Sequence, residues 1–227
     1  LNQDLFPNLT DGINEPHPLP TDIKRDTYIQ LLKIEPIDQV QSKVFNQEKF
    51  SRLQRIGVLG FENKTFAPFK DKSAGDVVSR QVYQELRANK SYSNIIPPQL
   101  MEDARFKIVK TPDSVVQKHP THSVGEDTKP LVMGDRVDAV MVGAVSKFTD
   151  KYVDRYGKIQ KSIASGLEFT AFLLDPQTRE VIWGARFVGR QRPGLQNMTQ
   201  HKGRWLSKAD FTRSAMKFVL KEFRNRD

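Results

Sequence analysis

Three consecutive segments with the pattern of β-strands, between residues 138 and 190, constrain the fold of this chain more than any other feature. They run from Asp138 to Phe148, from Ser165 to Leu174 and from Glu180 to Arg190. In the last two segments apolar residues recur at every second position, which is typical of a strand with one buried face. The connection that starts at Asp175-Pro176 favours a chain reversal. We therefore predict a long antiparallel hairpin.

The first of these segments differs because both of its faces are apolar. Val140 and Val142 fall on one face, and Met141 and Val145 fall on the other. A strand with two apolar faces is covered on both sides. We expect this strand in the middle of a sheet.

The rest of the chain supplies a strand–helix–strand unit and a closing helix. The unit comprises a strand at Arg55–Phe61, a helix from about Ser73 to Asn89 and a strand at Tyr92–Ile96, with the spacing of apolar residues expected of each. Ser207 is a good N-cap for the last helix. The segment from Leu100 to Pro130 is irregular. The order of strands and helices along the chain predicts an α+β (mixed α/β) fold: one mixed sheet with helices packed on it.

Residues 1–50 are predicted to form an extended Pro-rich arm, and residues 51–227 a single domain. Two short helices are expected inside the arm, one after Thr21 and a weaker one from Val40 to about Phe50. A tether, a segment that packs on a neighbouring subunit and a disordered leader are all compatible with such an arm.

Composition favours an anionic partner and excludes thiol chemistry. Lys and Arg number 36 against 27 Asp and Glu, a formal charge of +9, and cysteine is absent. Nucleic acid, anionic lipid, acidic glycan and acidic protein all fit such a charge. Without cysteine the chain has no disulfide, zinc–thiolate site or thiol nucleophile. The sequence contains no run of 18 apolar residues, so it does not predict a membrane-spanning helix.

No motif predicts catalysis, a metal site or a cofactor. His119 and His122 lie in a Pro-rich segment without a set of carboxylates beside them, which makes a poor metal cage. Ser165 is not in a nucleophile elbow, and Gly57 and Gly60 do not complete a phosphate-binding loop. Asp138 reads as an ordinary carboxylate at a strand boundary. We predict a protein that is not an enzyme and has no small-molecule substrate.

Positive charge is the feature that predicts a contact. The cations assigned to an anionic partner lie on the last strand or beyond it: Arg186, Arg190, Arg192, Lys202, Arg204, Arg213, Lys217 and Lys221. The last three recur every four residues, and like charges at that spacing mildly destabilise a helix unless a partner offsets them. A solvated helix face explains these three equally well.

Nucleic acid is the less favoured partner. Single-strand binders stack bases on exposed aromatic rings set among cations. Here most aromatic residues fall on predicted core faces, and Tyr152, Tyr156 and Phe172 are the exceptions. No helix-turn-helix or RNA-recognition signature is present.

Several of these motifs together resemble a known family. They are the strand Ile56–Asn63 with the sequence IGVLGFEN, the strand Asp138–Gly143 with DAVMVG, the hairpin Leu173–Trp183 with LLDPQTREVIW, and the closing amphipathic helix. In this combination the chain resembles bacterial envelope lipoproteins with the TolB-amino-terminal-like fold, such as the curli-secretion lipoprotein CsgG, the polysaccharide-export lipoprotein PelC and the peptidoglycan-synthase activator LpoB. The motifs belong to the scaffold, so they bear on the fold more than on function.

The resemblance implies a non-catalytic periplasmic protein held at the inner leaflet of the outer membrane by a lipidated amino-terminal cysteine. It also implies a homo-oligomer, often a ring, within a secretion, export or envelope-spanning assembly. Since the sequence has no cysteine, the anchor must lie upstream of Leu1 or be absent. A soluble regulator of an envelope (peptidoglycan) enzyme is the alternative. No alternating stretch is long enough for a membrane-spanning hairpin, which argues against a pore made by this chain alone.

Overall fold

A computed structural model of the chain describes residues 19–32 except 22, 40–101, 137–191 and 206–224. Its helices and strands, in chain order, are α1 (Arg25–Leu32), β1 (Val40–Val44), α2 (Gln47–Arg52), β2 (Arg55–Val58), β3 (Glu62–Asn63), α3 (Ala74–Ala88), β4 (Asn94–Ile96), β5 (Ala139–Val153), β6 (Ile159–Leu174), β7 (Val181–Arg190) and α4 (Lys208–Val219). The predicted mixed α/β fold is confirmed. The seven described strands form one sheet in the order β1-β7-β6-β5-β2-β4, with β3 paired to β5.

Strand β5 lies inside the sheet and is covered on both faces, as predicted. It is antiparallel to β6 and parallel to β2 and β3. Met141 and Val145 contribute to the larger of two apolar clusters, which also contains the buried faces of α3 and α4. Val140 and Val142 contribute to the second cluster, which includes residues of α1. The sheet therefore has a core on each side.

The predicted hairpin is also confirmed, as strands β6 and β7. Phe169 lies opposite Phe187, and Leu173 lies opposite Trp183. The Asp175 carboxylate accepts hydrogen bonds from the backbone N–H groups of Gln177 (2.8 Å) and Thr178 (3.0 Å). This side-chain turn explains why the chain reverses immediately after the last apolar residue of β6.

The strand–helix–strand unit forms as expected, with β2 and β4 parallel and adjacent. Helix α3 approaches the chain after β2 closely: a Cβ on Gly75 would lie 2.1 Å from the Phe61 carbonyl oxygen, so no side chain fits there. Helix α4 begins as predicted, because the Ser207 hydroxyl accepts a hydrogen bond from the Asp210 N–H at 3.2 Å.

The helix expected from Val40 to Phe50 is wrong. Val40–Val44 is instead the strand β1, which pairs antiparallel with β7, and a short helix follows because the Asn46 side chain caps the Lys49 N–H at 3.0 Å. Two valines beside an open strand gain more from cross-strand packing than from helix formation. Residues 40–44 thus belong to the sheet, and Phe50 of α2 packs in the larger core.

The helix predicted after Thr21 is present as α1. Its Tyr28 and Leu31 are buried, with 2% and 0% of their surfaces exposed, against the second face of the sheet. None of the helices in the described ranges is long and apolar enough to cross a membrane.

Candidate functional site

Arg186 does not belong to a contact surface, contrary to the sequence prediction. Only 2% of its surface is exposed. Its Nη2 donates a hydrogen bond to Oε1 of Glu168 at 3.3 Å, and its guanidinium lies 6.0 Å from the centre of the Tyr28 ring. Helix α1 covers this face of β7, so Arg186 is one half of a buried ion pair. Burial raises the pKa of the Tyr28 phenol well above its usual range, and the phenol stays neutral.

Arg190 remains available at the surface, at the last position of β7. Its Nη2 donates to the Ser162 hydroxyl at 3.1 Å, which places it near the start of β6. Of the other cations in the predicted set, Arg192, Lys202 and Arg204 lie outside the described residues. His119 and His122 lie outside them as well.

Helix α4 turns its predicted cations outward. Arg213, Lys217 and also Lys221, which lies two residues beyond the end of α4, are exposed, while the opposite side of the helix is buried. Arg213 is partly engaged: its Nη1 lies 3.8 Å from the Asp210 carboxylate. Phe218, half exposed, lies between the two lysines in the sequence. Both the solvated-face and the contact interpretation of this helix remain compatible with the structure.

The feature that the sequence analysis missed is the length of the β5–β6 hairpin. Both strands extend beyond the predicted limits at Phe148 and Ser165, and pairing continues to Val153 opposite Ile159. A break in register after Thr149 sets the outer part off from the sheet. We call residues 151–161 the hairpin tip.

Asp154 and Gly157 build the turn of the hairpin tip. The Asp154 carboxylate accepts hydrogen bonds from the backbone N–H groups of Tyr156 and Lys158, both at 2.9 Å. These bonds, the one from Lys158 above all, lower the pKa of the Asp154 carboxyl. Gly157 has a φ of 76°, a left-handed conformation that glycine adopts without strain. The N–H of Gly157 closes the turn on the Asp154 carbonyl at 3.0 Å.

One face of the hairpin tip combines a pair of cations with a pair of apolar residues. Lys151 lies directly opposite Lys161, and Val153 lies directly opposite Ile159. Positions two apart on a strand share a face, so the four side chains lie together. Val153 and Ile159 are 48% and 49% exposed. Like charges directly opposite each other destabilise a sheet.

The end of the tip adds exposed aromatic rings and further charge. Tyr156 is 71% exposed and Tyr152 is 42% exposed, which confirms the prediction that these rings lie outside the core. The Arg155 guanidinium lies 4.7 Å from the centre of the Tyr156 ring. Within the described ranges no carboxylate forms an ion pair with Lys151, Lys161, Arg155 or Lys158.

Phe172, the third predicted exception among the aromatic residues, is buried instead. None of its surface is exposed, because it packs with Val140 and Val142 in the second core. The alternation of apolar residues in β6 predicts Phe172 on a solvent-exposed face, if the sheet is buried on one side only. Helix α1 covers that side.

A shallow depression with a volume of about 490 Å³ lies near the start of β2 and the end of β6, and most of the residues that line it are charged. The Asp138 carboxylate accepts hydrogen bonds from the Arg55 side chain (2.9 Å) and from the N–H groups of Gln54 (2.9 Å) and Arg55 (2.8 Å). Burial raises the pKa of Asp138, but these bonds outweigh it and hold the pKa below its usual value. Asp138 therefore fastens β5 to β2.

Comparison with known proteins shows distant structural neighbours. No protein-family model matches the chain, and no curated protein matches it. The PelC dodecamer from Paraburkholderia phytofirmans aligns over 83% of this chain and 98% of its own, with 16% identity and a TM-score of 0.46. The lipoprotein GNA1162 from Neisseria meningitidis aligns over 76% and 99%, with 15% identity and a TM-score of 0.43.

A third neighbour is the LpoB C-terminal domain from Salmonella enterica, which aligns over 65% of this chain and 95% of its own, with 15% identity and a TM-score of 0.33. At these identities and TM-scores the neighbours carry no argument about function. The observation that bears on function is therefore the chemistry of the hairpin tip, which does not depend on these neighbours.

Proposed function

We propose that this chain is a non-catalytic structural component of a bacterial envelope assembly. It is periplasmic, is held at the outer membrane, and associates with copies of itself into a ring. The observation that carries the proposal is the hairpin tip, where exposed apolar and aromatic side chains lie beside cations that form no ion pair with a carboxylate in the described part of the chain. Such a combination is typical of a surface that contacts a partner.

The ionised carboxylates support a structural role. Three aspartates with a lowered pKa are each bonded to a cation from a distant part of the chain: Asp71 to Lys208, Asp138 to Arg55 and Asp175 to Lys49. Burial raises the pKa of each, but the hydrogen bonds to the cation and to nearby donors outweigh burial and hold the pKa below its usual value. A catalytic acid or base needs a pKa near the working pH. Here the pKa moves away from neutrality, as in carboxylates that hold elements together.

The scaffold motifs of the sequence support the choice of compartment and assembly, since the family they resemble consists of envelope lipoproteins, several of which form rings. A ring requires two different surfaces of the same chain to meet head to tail.

The native mass of the purified protein tests the proposal. We expect a closed oligomer with a mass that is an integral multiple of 26.0 kDa, measured by native mass spectrometry and by light scattering, with and without mild detergent. A strict monomer under both conditions, across a wide range of protein concentration, would overturn the ring.

A further inference from the structure

The geometry points to an anionic phospholipid surface as the partner of the hairpin tip. We infer that the tip inserts its apolar end between lipid headgroups while its cations hold the phosphates. This inference deepens the proposed envelope role and relies on it for the compartment.

The order of side chains along the tip matches a membrane surface. Tyr156, at the turn, is the most exposed of the tip's large apolar side chains, followed by the pair Val153 and Ile159. The pair Lys151 and Lys161 lies two residues farther from the turn along each strand. A side chain with an apolar body at the acyl boundary and a cation at the level of the headgroups is the arrangement found at membrane interfaces.

Charge complementarity selects an anionic surface over a neutral one. Lys151 and Lys161 face each other on the same side of the ladder, with Cβ atoms about 5 Å apart in such a pair. Their repulsion is relieved when both bind phosphate oxygens. Arg155, beside the Tyr156 ring, and Lys158 add two more cations at the turn, neither of them ion-paired with a described carboxylate. With Asp154 as the single carboxylate among four cations, residues 151–161 carry a net charge of +3.

The aliphatic pair favours lipid over a polyanionic chain. Single-stranded nucleic acids stack bases on exposed aromatic rings, which Tyr152 and Tyr156 supply, but they leave an exposed aliphatic pair such as Val153 and Ile159 without a partner. Both side chains are about half exposed in the free protein. Insertion into the acyl boundary removes this apolar surface from water, which is favourable.

The length of the tip fixes the depth of contact. Beyond the break in register the ladder has three residue pairs, from Lys151 with Lys161 to Val153 with Ile159. At about 3.3 Å per residue this is about 10 Å of strand. A strand that spans the hydrocarbon core needs about 9–11 residues. The tip therefore reaches one surface of a bilayer and does not cross it.

Vesicle flotation at low salt tests the inference. The intact chain is expected to float with vesicles of phosphatidylcholine and phosphatidylglycerol and to remain unbound with phosphatidylcholine alone. The variant Lys151→Gln with Lys161→Gln is expected to bind about thirtyfold more weakly, since each cation near an anionic surface contributes about fivefold. Replacing Val153 and Ile159 by serine is expected to weaken binding as well.

The matched control removes the same charge at the carboxyl end of α3, as Arg87→Gln with Lys90→Gln; both side chains are exposed and neither belongs to the predicted contact set. The affinity of this control for the vesicles is expected to stay within about threefold of that of the parent chain, because salt screens the attraction between distant charges and the lipid surface. An equal loss in both double variants would overturn the assignment to the tip. Equal binding to vesicles with and without phosphatidylglycerol, or none to either, would overturn the anionic surface as partner.

A fluorescence readout shows which part of the chain enters the lipid. The variant Tyr156→Trp places an indole at the turn, where the native ring is 71% exposed, so the fold is not disturbed. Its emission is expected to shift to the blue with anionic vesicles, relative to the parent chain. An unchanged spectrum in the vesicle-bound protein would refute insertion of the tip. The native mass of each variant is measured alongside, so that loss of lipid binding and loss of the ring are scored separately.

Discussion

The buried pair of Arg186 and Glu168 yields the sharpest prediction, because the sequence and the structure disagree about it. As a surface cation, Arg186 would lose nothing when Glu168 is neutralised. As a guanidinium with 2% of its surface exposed, it would be left as a charge in the core. The substitution Glu168→Gln keeps the shape of the side chain and removes only its charge.

The expected loss follows from the geometry. At 3.3 Å and an effective dielectric constant of about 20, the attraction between the two charges is about 5 kcal/mol. Part of this is offset in the native protein by the cost of burial. Removing one partner of a buried pair typically costs about 3–5 kcal/mol. The Glu168 side chain is 22% exposed and Gln can still accept a hydrogen bond, so we expect about 3 kcal/mol.

Urea unfolding followed by circular dichroism measures this loss. The control is Glu48→Gln, which breaks an exposed pair with Arg52 four residues along α2 and is expected to cost less than about 0.5 kcal/mol. The double variant Glu168→Leu with Arg186→Met removes both charges and is expected to recover most of the stability. A loss below about 1 kcal/mol in Glu168→Gln would refute the buried position of Arg186.

Two further predictions concern how the helices and strands are joined. Gly75→Ala is expected to destabilise the protein by about 1–3 kcal/mol, measured by thermal unfolding, because its Cβ would lie 2.1 Å from the backbone oxygen of Phe61; unchanged stability would contradict this packing. The pKa of Asp138 is lower in the folded protein than in the unfolded chain. The bond from Asp138 to Arg55 therefore stabilises the folded state fully above the unfolded pKa of about 3.9, and this stabilisation is lost as the pH falls through the folded pKa. Asp138→Asn is therefore expected to lower stability at about pH 7 and to reduce the further loss on acidification to about pH 3, and an equal loss in both proteins would contradict the linkage.

The parts of the fold that could be predicted are those whose side chains follow one period. In β6 and β7, Phe169, Leu173, Trp183 and Phe187 alternate strictly, and the turn between the strands carries its own signal in Asp175. Helix α3 has apolar residues at steady four-residue spacing. In such segments the local pattern and the tertiary environment agree, so the sequence is sufficient.

The parts that could not be predicted depend on a partner that is distant in the sequence. Val40–Val44 becomes a strand because β7, about 140 residues later, offers it an open edge. Arg186 and Phe172 were placed on a solvent face because the pattern of β6 and β7 does not reveal that α1 covers them. In each case the missing information is which surface another element covers, and local periodicity does not contain it.

The hairpin tip was within reach of the sequence, and its energetics lead to the last prediction. The segment has an Asp and a Gly at the positions of a tight turn, with Tyr152 and Val153 on one side and Ile159 on the other. In the free protein the opposed lysines act against the ladder that holds the tip together. Lys161→Glu places a carboxylate opposite Lys151, which is expected to stabilise the protein by about 0.5–1 kcal/mol and to raise Tm by about 2 °C.

The same substitution is expected to weaken binding to anionic vesicles by about thirtyfold, since the tip loses one positive charge and gains a negative one. Stability and binding thus move in opposite directions at a single residue. A cation that lowers the stability of the free protein but strengthens binding is a functional residue, since binding sites commonly lower stability. If Lys161→Glu lowered both stability and binding, the lysine would be a structural residue of the hairpin, and the docking of the tip on lipid would lose its main support.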